Sequence, residues 1–212
     1  MNDINTNRTT KELFKNTGII AIGQICTKAV NFLLLPLYTN ILSKEEYGLV
    51  DVLSTYASLI SVIVGLQLSA SVFRYLVTCR DDAEKTKEMC STSFFLETKL
   101  CIGYLILFLL FQLFIDFEYK WFLLLYVISL IYLQYFSGVI RGKGDNKLYA
   151  LANFISALVT LVLNVLVVAV FRLGVSAMLL AYVVGSTVGV IILLFKGEIV
   201  GNIHRKCCSK AS

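Results

Sequence analysis

Proline, tryptophan and histidine are almost missing from this chain of 212 residues. Pro36, Trp121 and His204 are the single examples of each. Charge is scarce too: Asp, Glu, Lys and Arg make up 16% of the sequence, against about a quarter in soluble domains. The single proline leaves no room for a Pro-rich linker between domains. The single histidine lies in a basic tail, far from any partner in sequence, and is read as a solvated surface group. No Walker loop, HExxH pair or nucleophile motif occurs, so no catalytic constellation and no cofactor are expected, and the chain is not read as an enzyme. Six cysteines (Cys26, Cys79, Cys90, Cys101, Cys207 and Cys208) have no metal-ligand spacing and are read as reduced and structural, with no metal site.

What is abundant is apolar sequence. Hydrophobic residues make up 58% of the chain and the mean hydropathy is +0.78. The excess falls in runs of about 20 residues, the length an α-helix needs to cross a hydrocarbon core of about 30 Å. Without period-two alternation, these runs predict helices, the form that satisfies every backbone group in lipid. Six spans are predicted: Asn16–Tyr38, Leu49–Leu76, Ser93–Ile115, Trp121–Ile140, Tyr149–Phe171 and Val175–Phe195. The expected fold is an all-α integral membrane bundle of six transmembrane helices. A cytoplasmic segment (1–15) precedes the membrane lobe (16–195), and a basic tail (196–212) follows it.

Lys and Arg divide unevenly between the two sides. Fourteen lie at one end of the spans and only Lys44, Lys120 and Arg172 at the other. By the positive-inside rule both termini are expected in the cytoplasm. The net charge of +5 follows from this topology and does not imply a nucleic-acid partner.

Several polar residues interrupt the apolar runs. Thr17, Gln24, Lys28 and Asn31 recur at helical spacing in the first span, and such a face is expected to line the bundle interior or a wet cavity. Lys28 is the sharpest of them, because a lysine at mid-helix costs about 2.5–3.5 kcal/mol on insertion scales. In the second span Ser54, Ser58, Ser61 and Gly65 are expected to form a close-packing face, and Arg74 to reach lipid headgroups or a lipid phosphate. Glu97 and Lys99 are placed near the cytoplasmic interface, on different helix faces, paired with headgroups rather than with each other. In the fifth span Asn153, Ser156, Thr160 and Asn164 form a second polar face. With the first span it suggests a shared hydrated interior. Gly185 and Gly189 form a packing face in the sixth span. Gly142 and Gly144 in "RGKGDNK" are read as a turn, not a phosphate loop, because no strand precedes them. In "PLYTNILSKEEYGLVD", Pro36 is expected to kink the outer end of the first helix, Tyr38 and Tyr47 to sit in the interface belt, and Ser43 with Glu46 to form a capping box.

That corner carries a resemblance. "LFKNTGIIAIGQICTKAVNFLLLPLYTNILSKEEYGLVDV" followed by "GLQLSASVFRYL" resembles the start of the bacterial polysaccharide transporters that flip O-antigen and capsular repeat units. The matching pieces are Lys15-Asn16, Gly23, Pro36 to Thr39, Leu42-Ser43, Glu46 to Gly48 and Asp51. A more generic match runs from "SGVIRGKGDNK" through the sixth span. The resemblance implies one lobe of a MATE-like two-lobe exporter in a bacterial cytoplasmic membrane. Its substrate would be an undecaprenyl-diphosphate-linked oligosaccharide, and its partners that lipid-linked substrate, membrane lipids and a second lobe, supplied by another chain or lost by truncation, the expectation favoured here. Gln24, Lys28, Asn31, Arg74, Lys99, Asn153 and Asn164 are the candidate cavity residues, and Glu97 the candidate for a coupling ion. The alternatives are a MATE-type drug or cation exporter lobe, for which the charge of Lys28 has the wrong sign, and a non-transporting scaffold of a polysaccharide synthesis complex.

The predicted topology is open to a direct check. Fluorescent reporters fused at either terminus are expected to fold and fluoresce in the cytoplasm. Alkaline phosphatase inserted between Asn40 and Lys44 is expected to be active; the reverse pattern would invert the orientation.

Overall fold

In a computed structural model of the protein, the residues described are 18, 20–29, 32, 43–80, 82–112, 117–167 and 174–197. They are helical apart from short turns, and no strand occurs among them. A helical stretch at 20–29 is α1. It is followed by α2 (Lys44–Val64), α3 (Leu68–Thr78), α4 (Ala83–Phe111), α5 (Lys120–Lys143), α6 (Asn146–Val165) and α7 (Val175–Lys196). Five of these, α2 and α4 to α7, are long and apolar enough to cross a membrane. The first predicted span is described only in part. Pro36 and Tyr38 lie outside the described residues, as do Cys207 and Cys208 in the tail.

Helix ends follow the local signals. Ser43 caps α2 as a capping box: its hydroxyl accepts the Glu46 N–H at 3.2 Å, and Glu46 accepts the Ser43 N–H at 3.0 Å. Gly144 ends α5 in the left-handed region at φ 94°, and the Asp145 N–H reaches back to the Ile140 carbonyl at 3.2 Å. Asp145 then caps α6 by accepting the Leu148 N–H. "RGKGDNK" is therefore a two-residue turn, Gly144 and Asp145, between two helices, as its lack of a preceding strand predicted.

Two boundaries differ from the sequence expectation. The second span is broken, not continuous: α2 stops at Val64 and α3 starts at Leu68. Leu66 and Gln67 both take left-handed backbone angles (φ 46° and 54°), a conformation costly for side chains other than glycine. Hydropathy cannot see such a break, because every residue through it is apolar or small apart from Gln67. The third span starts ten residues early. Asp82 caps α4 by accepting the Lys85 N–H at 3.1 Å and pairs with the Lys85 ammonium at 3.0 Å. The Lys85 backbone N–H, then its ammonium, hold the Asp82 carboxyl below its ordinary range. The first turns of α4 are polar, so an apolar window starts too late. Glu97 consequently lies midway along α4 and not near its start.

α5 is the hub. It packs on every other helix from α2 to α7 and buries residues around most of its circumference. Tyr135 fixes it to α4: its hydroxyl lies 2.8 Å from the Ser93 hydroxyl and donates to the Cys90 carbonyl at 3.0 Å. Glycines let neighbours approach. A Cβ on Gly138 would lie 2.6 Å from the Ser69 carbonyl oxygen of α3, and one on Gly142 would lie 2.7 Å from Leu76 Cβ. α1 meets α6 the same way, Gly23 against Ala150.

The α6–α7 seam corrects one expectation, and α2 corrects another. Ser156, Thr160 and Asn164 do not line a hydrated interior; they are buried against α7. The Ser156 hydroxyl donates to the Gly185 carbonyl at 2.7 Å, Thr160 to the Ser156 carbonyl and Asn164 to the Thr160 carbonyl. Donating to carbonyls lets hydroxyls and amides pack where no water enters. Gly185 and Gly189 do form the expected packing face, Gly189 against Ser156. On α2 the packed stripe is Val50, Leu53, Ala57 and Ser61, with Gly65 below. Ser54 and Ser58 lie beside that stripe and donate to carbonyls of their own helix.

A Cβ on Gly185 would run into the Thr160 hydroxyl. Gly185→Ala is expected to destabilise the solubilised protein by about 1–3 kcal/mol through overpacking. Adding Thr160→Ala is expected to recover most of that loss, seen as a non-additive shift in thermal unfolding.

Candidate functional site

A half-open cavity of about 460 Å³ lies between α2, α3, α5 and α6. The break in the second span supplies one wall, where Gln67 and Ser69 line it. α5 supplies Gln134, Ser137 and Arg141, spaced three and four residues apart and so on one face. α6 supplies Tyr149 and Asn153 in the same way. Arg141 is the one charged residue in the lining.

Arg141 is held by aromatic rings. The guanidinium carbon lies 4.7 Å from the centre of the Phe73 ring and 5.1 Å from that of Tyr149. Such contacts favour a partly desolvated cation and leave its N–H groups available. The buried Nε has no hydrogen-bond partner. The amides beside it are anchored: Gln134 Nε2 donates to the Ser61 hydroxyl at 3.1 Å, and Asn153 Nδ2 to the Tyr149 carbonyl at 2.9 Å and the Ser137 hydroxyl at 3.3 Å. The site therefore offers one fixed cation to an anion, with amides and hydroxyls suited to polar groups around it.

Below the cavity is a second cation cluster. Arg80 donates twice to the Gly142 carbonyl, at 2.9 and 3.1 Å, and Lys143 to the Gly197 carbonyl at 3.2 Å. These bonds tie the α3–α4 turn and the end of α7 to the end of α5.

The residues singled out from the sequence are dispersed. Asn153 lies in the cavity. Gln24 and Lys28 are exposed on α1, on the side turned away from Gly23, Cys26 and Thr27, so they do not face the interior of this bundle. Asn31 lies outside the described residues. Arg74 and Lys99 are exposed on α3 and α4. Asn164 belongs to the α6–α7 seam. Glu97 is 2% exposed, among α2, α4 and α5, so headgroup pairing does not apply to it; it forms no ion pair with Lys99. Arg141 was missed because it counts among the cytoplasmic positive charges that end a span. Its spacing from Gln134 and Ser137 was the available signal. Among the described residues no group of three His, Cys, Asp or Glu side chains could hold a metal ion, and Cys26, Cys79, Cys90 and Cys101 are free thiols.

Residues 13–204 match the family model described as polysaccharide biosynthesis protein. Over 64 residues the chain is 34% identical to Lsg locus protein 1 of Haemophilus influenzae. That stretch is 30% of this chain and 16% of the relative, so the match covers about a sixth of the longer protein. No solved structure shows a significant match. With a family match over nearly its whole length and five helices fit to cross a bilayer, the chain is a multi-pass membrane protein of the polysaccharide biosynthesis protein family.

Proposed function

We propose that this chain forms one lobe of a flippase that moves a diphosphate-linked oligosaccharide lipid from the cytoplasmic to the outer leaflet of a bacterial cytoplasmic membrane. The family assignment supports a transporter role in polysaccharide export rather than an enzymatic one. The observation that carries the finer reading is the cavity around Arg141. Its only charge is positive, which suits a diphosphate and disfavours a drug or cation cargo. Its amides and hydroxyls suit the hydroxyl-rich sugars that follow.

Orientation agrees with this use. If the basic loops are cytoplasmic, Arg141 lies at the cytoplasmic end of α5, where the lipid-linked diphosphate is first met. The outward face of α1 supports the second lobe. Gln24 and Lys28 would be penalised against lipid, so a partner lobe covering that face, with a wet cleft between, accounts for them. Transport then requires both lobes, with the substrate held at their junction and access alternating between the two sides. No residue needs to make or break a covalent bond.

Three variants test the reading in cells that depend on the complete two-lobe transporter. Arg141→Ala is expected to lower flux of the lipid-linked repeat unit ten- to a hundredfold, the equivalent of losing a charged hydrogen bond of about 1.5–3 kcal/mol, with membrane abundance unchanged. Arg141→Lys is expected to fall between, keeping the charge and losing the fork. Lys28→Ala is expected to reduce export without loss of abundance. Normal flux in Arg141→Ala would remove the cavity from the substrate path.

A further inference from the structure

Glu97 is the most deeply buried acid among the described residues, at 2% exposure, and its Oε2 has no hydrogen-bond partner. It sits directly behind the break in the second span: a Cβ built on Gly65 would lie 3.3 Å from Glu97 Oε1. Among the described residues no basic side chain forms an ion pair with it. The titratable groups that its charge reaches are Cys101 on its own helix and Tyr132 and Tyr135 on α5. All three are neutral near pH 7 at their ordinary values, and the Gly65 position at the end of α2 meets the Ser61 carbonyl and the Glu97 carboxyl. An ionised carboxylate in this place would be buried without compensation, which proteins avoid by neutralising the group.

Three of the backbone N–H groups beside the turn are already committed. An anion could be stabilised by the N–H groups that open α3. Those of Leu68, Ala70 and Ser71 already donate to the carbonyls of Gly65 and Gln67, at 2.8, 3.0 and 3.3 Å. Ionising Glu97 therefore requires this turn to rearrange or water to enter. A rearrangement of the turn moves the cavity wall, because Gln67 lies in the turn and Ser69, two residues on in α3, lines the cavity with it. Ser61, one turn before Gly65, also receives the hydrogen bond from cavity residue Gln134.

We infer that Glu97 is a proton-binding site placed behind the α2–α3 turn, holding a proton in this conformation and releasing it only when the turn opens. The carboxyl O–H loses its proton to entering water, and one negative charge appears beside the start of α3. Proton occupancy and the shape of the Arg141 cavity are thereby linked, and each biases the other by the same factor. The inference concerns a proton and a turn; it stands whether or not the cargo is a lipid-linked oligosaccharide.

The test reads protonation and the turn separately from transport. The purified chain, in lipid nanodiscs, is stepped through pH while infrared difference spectra are recorded. A protonated carboxyl band is expected to persist well above the pH at which exposed carboxylates ionise. It should vanish in Glu97→Gln and return, displaced, in Glu97→Asp. In a background with the native cysteines replaced, Ala70→Cys, on the exposed cavity side of α3, is alkylated with a water-soluble reagent. Its rate, divided by the rate in the Glu97→Gln background at the same pH, is expected to rise about tenfold across the Glu97 titration, as a population shift of the turn. A Glu97 already ionised at low pH would overturn the inference, as would a carboxylate signal that responds to sodium and not to pH. A flat Ala70→Cys ratio would overturn the link to the turn. Glu97→Asp, which keeps an acid, guards against a folding defect in Glu97→Gln.

Discussion

A backbone N–H or C=O left without a partner in hydrocarbon costs several kcal/mol, and this constraint arranges the whole bundle. It is why the chain is helical, why helix ends are capped at the interfaces, and where a break can be placed. The turn at Gly65–Gln67 interrupts a helix inside the apolar region. It persists because the Gly65 and Leu66 N–H groups find carbonyls at the end of α2 and because Glu97 of α4 and Gln134 of α5 pack against one side of it. Gly65 makes this possible through its size, since a larger residue would collide with the Ser61 carbonyl and the Glu97 carboxyl.

The same constraint governs the polar side chains. Serines and threonines along α2, α4, α6 and α7 donate to carbonyls three or four residues back, which makes them tolerable in a dry seam. Those hydroxyls then need no water, and their helices can approach closely across glycine. The polar groups that escape this pattern are the informative ones. Arg141 is held by rings and not by a carboxylate, Gln134 and Asn153 reach across helices, and the Glu97 Oε2 has no partner. They surround one wall, formed by the break and the adjoining face of α5. A cavity, a cation and an acid are thus tied to the one irregular place in the second span.

How legible this was in the sequence differs by feature. The membrane class, the helical runs, the capping box at Ser43–Glu46, the turn at Gly144 and the packing role of Gly185 and Gly189 each follow from local composition or spacing. The polar face on α6 was legible as a face but not as a seam. Ser156, Thr160 and Asn164 have the same spacing whether they meet water or a glycine-lined helix. The break was not legible, since apolar windows average over it. The cavity residues were hidden for a similar reason. Arg141 reads as a loop charge until Phe73, distant in the chain, and Tyr149 of the next helix are brought against it.

By itself the sequence determined that the chain crosses a membrane as helices, and the distribution of Lys and Arg set the expected orientation. Hydropathy and loop charge are sums over neighbouring residues, and neighbours in sequence are what a span is made of. Only the tertiary structure decided which polar residues meet water, which meet carbonyls and which meet nothing. That distinction depends on side chains from four helices converging on one place, as at Glu97 and Arg141. No property of a single helix face contains it.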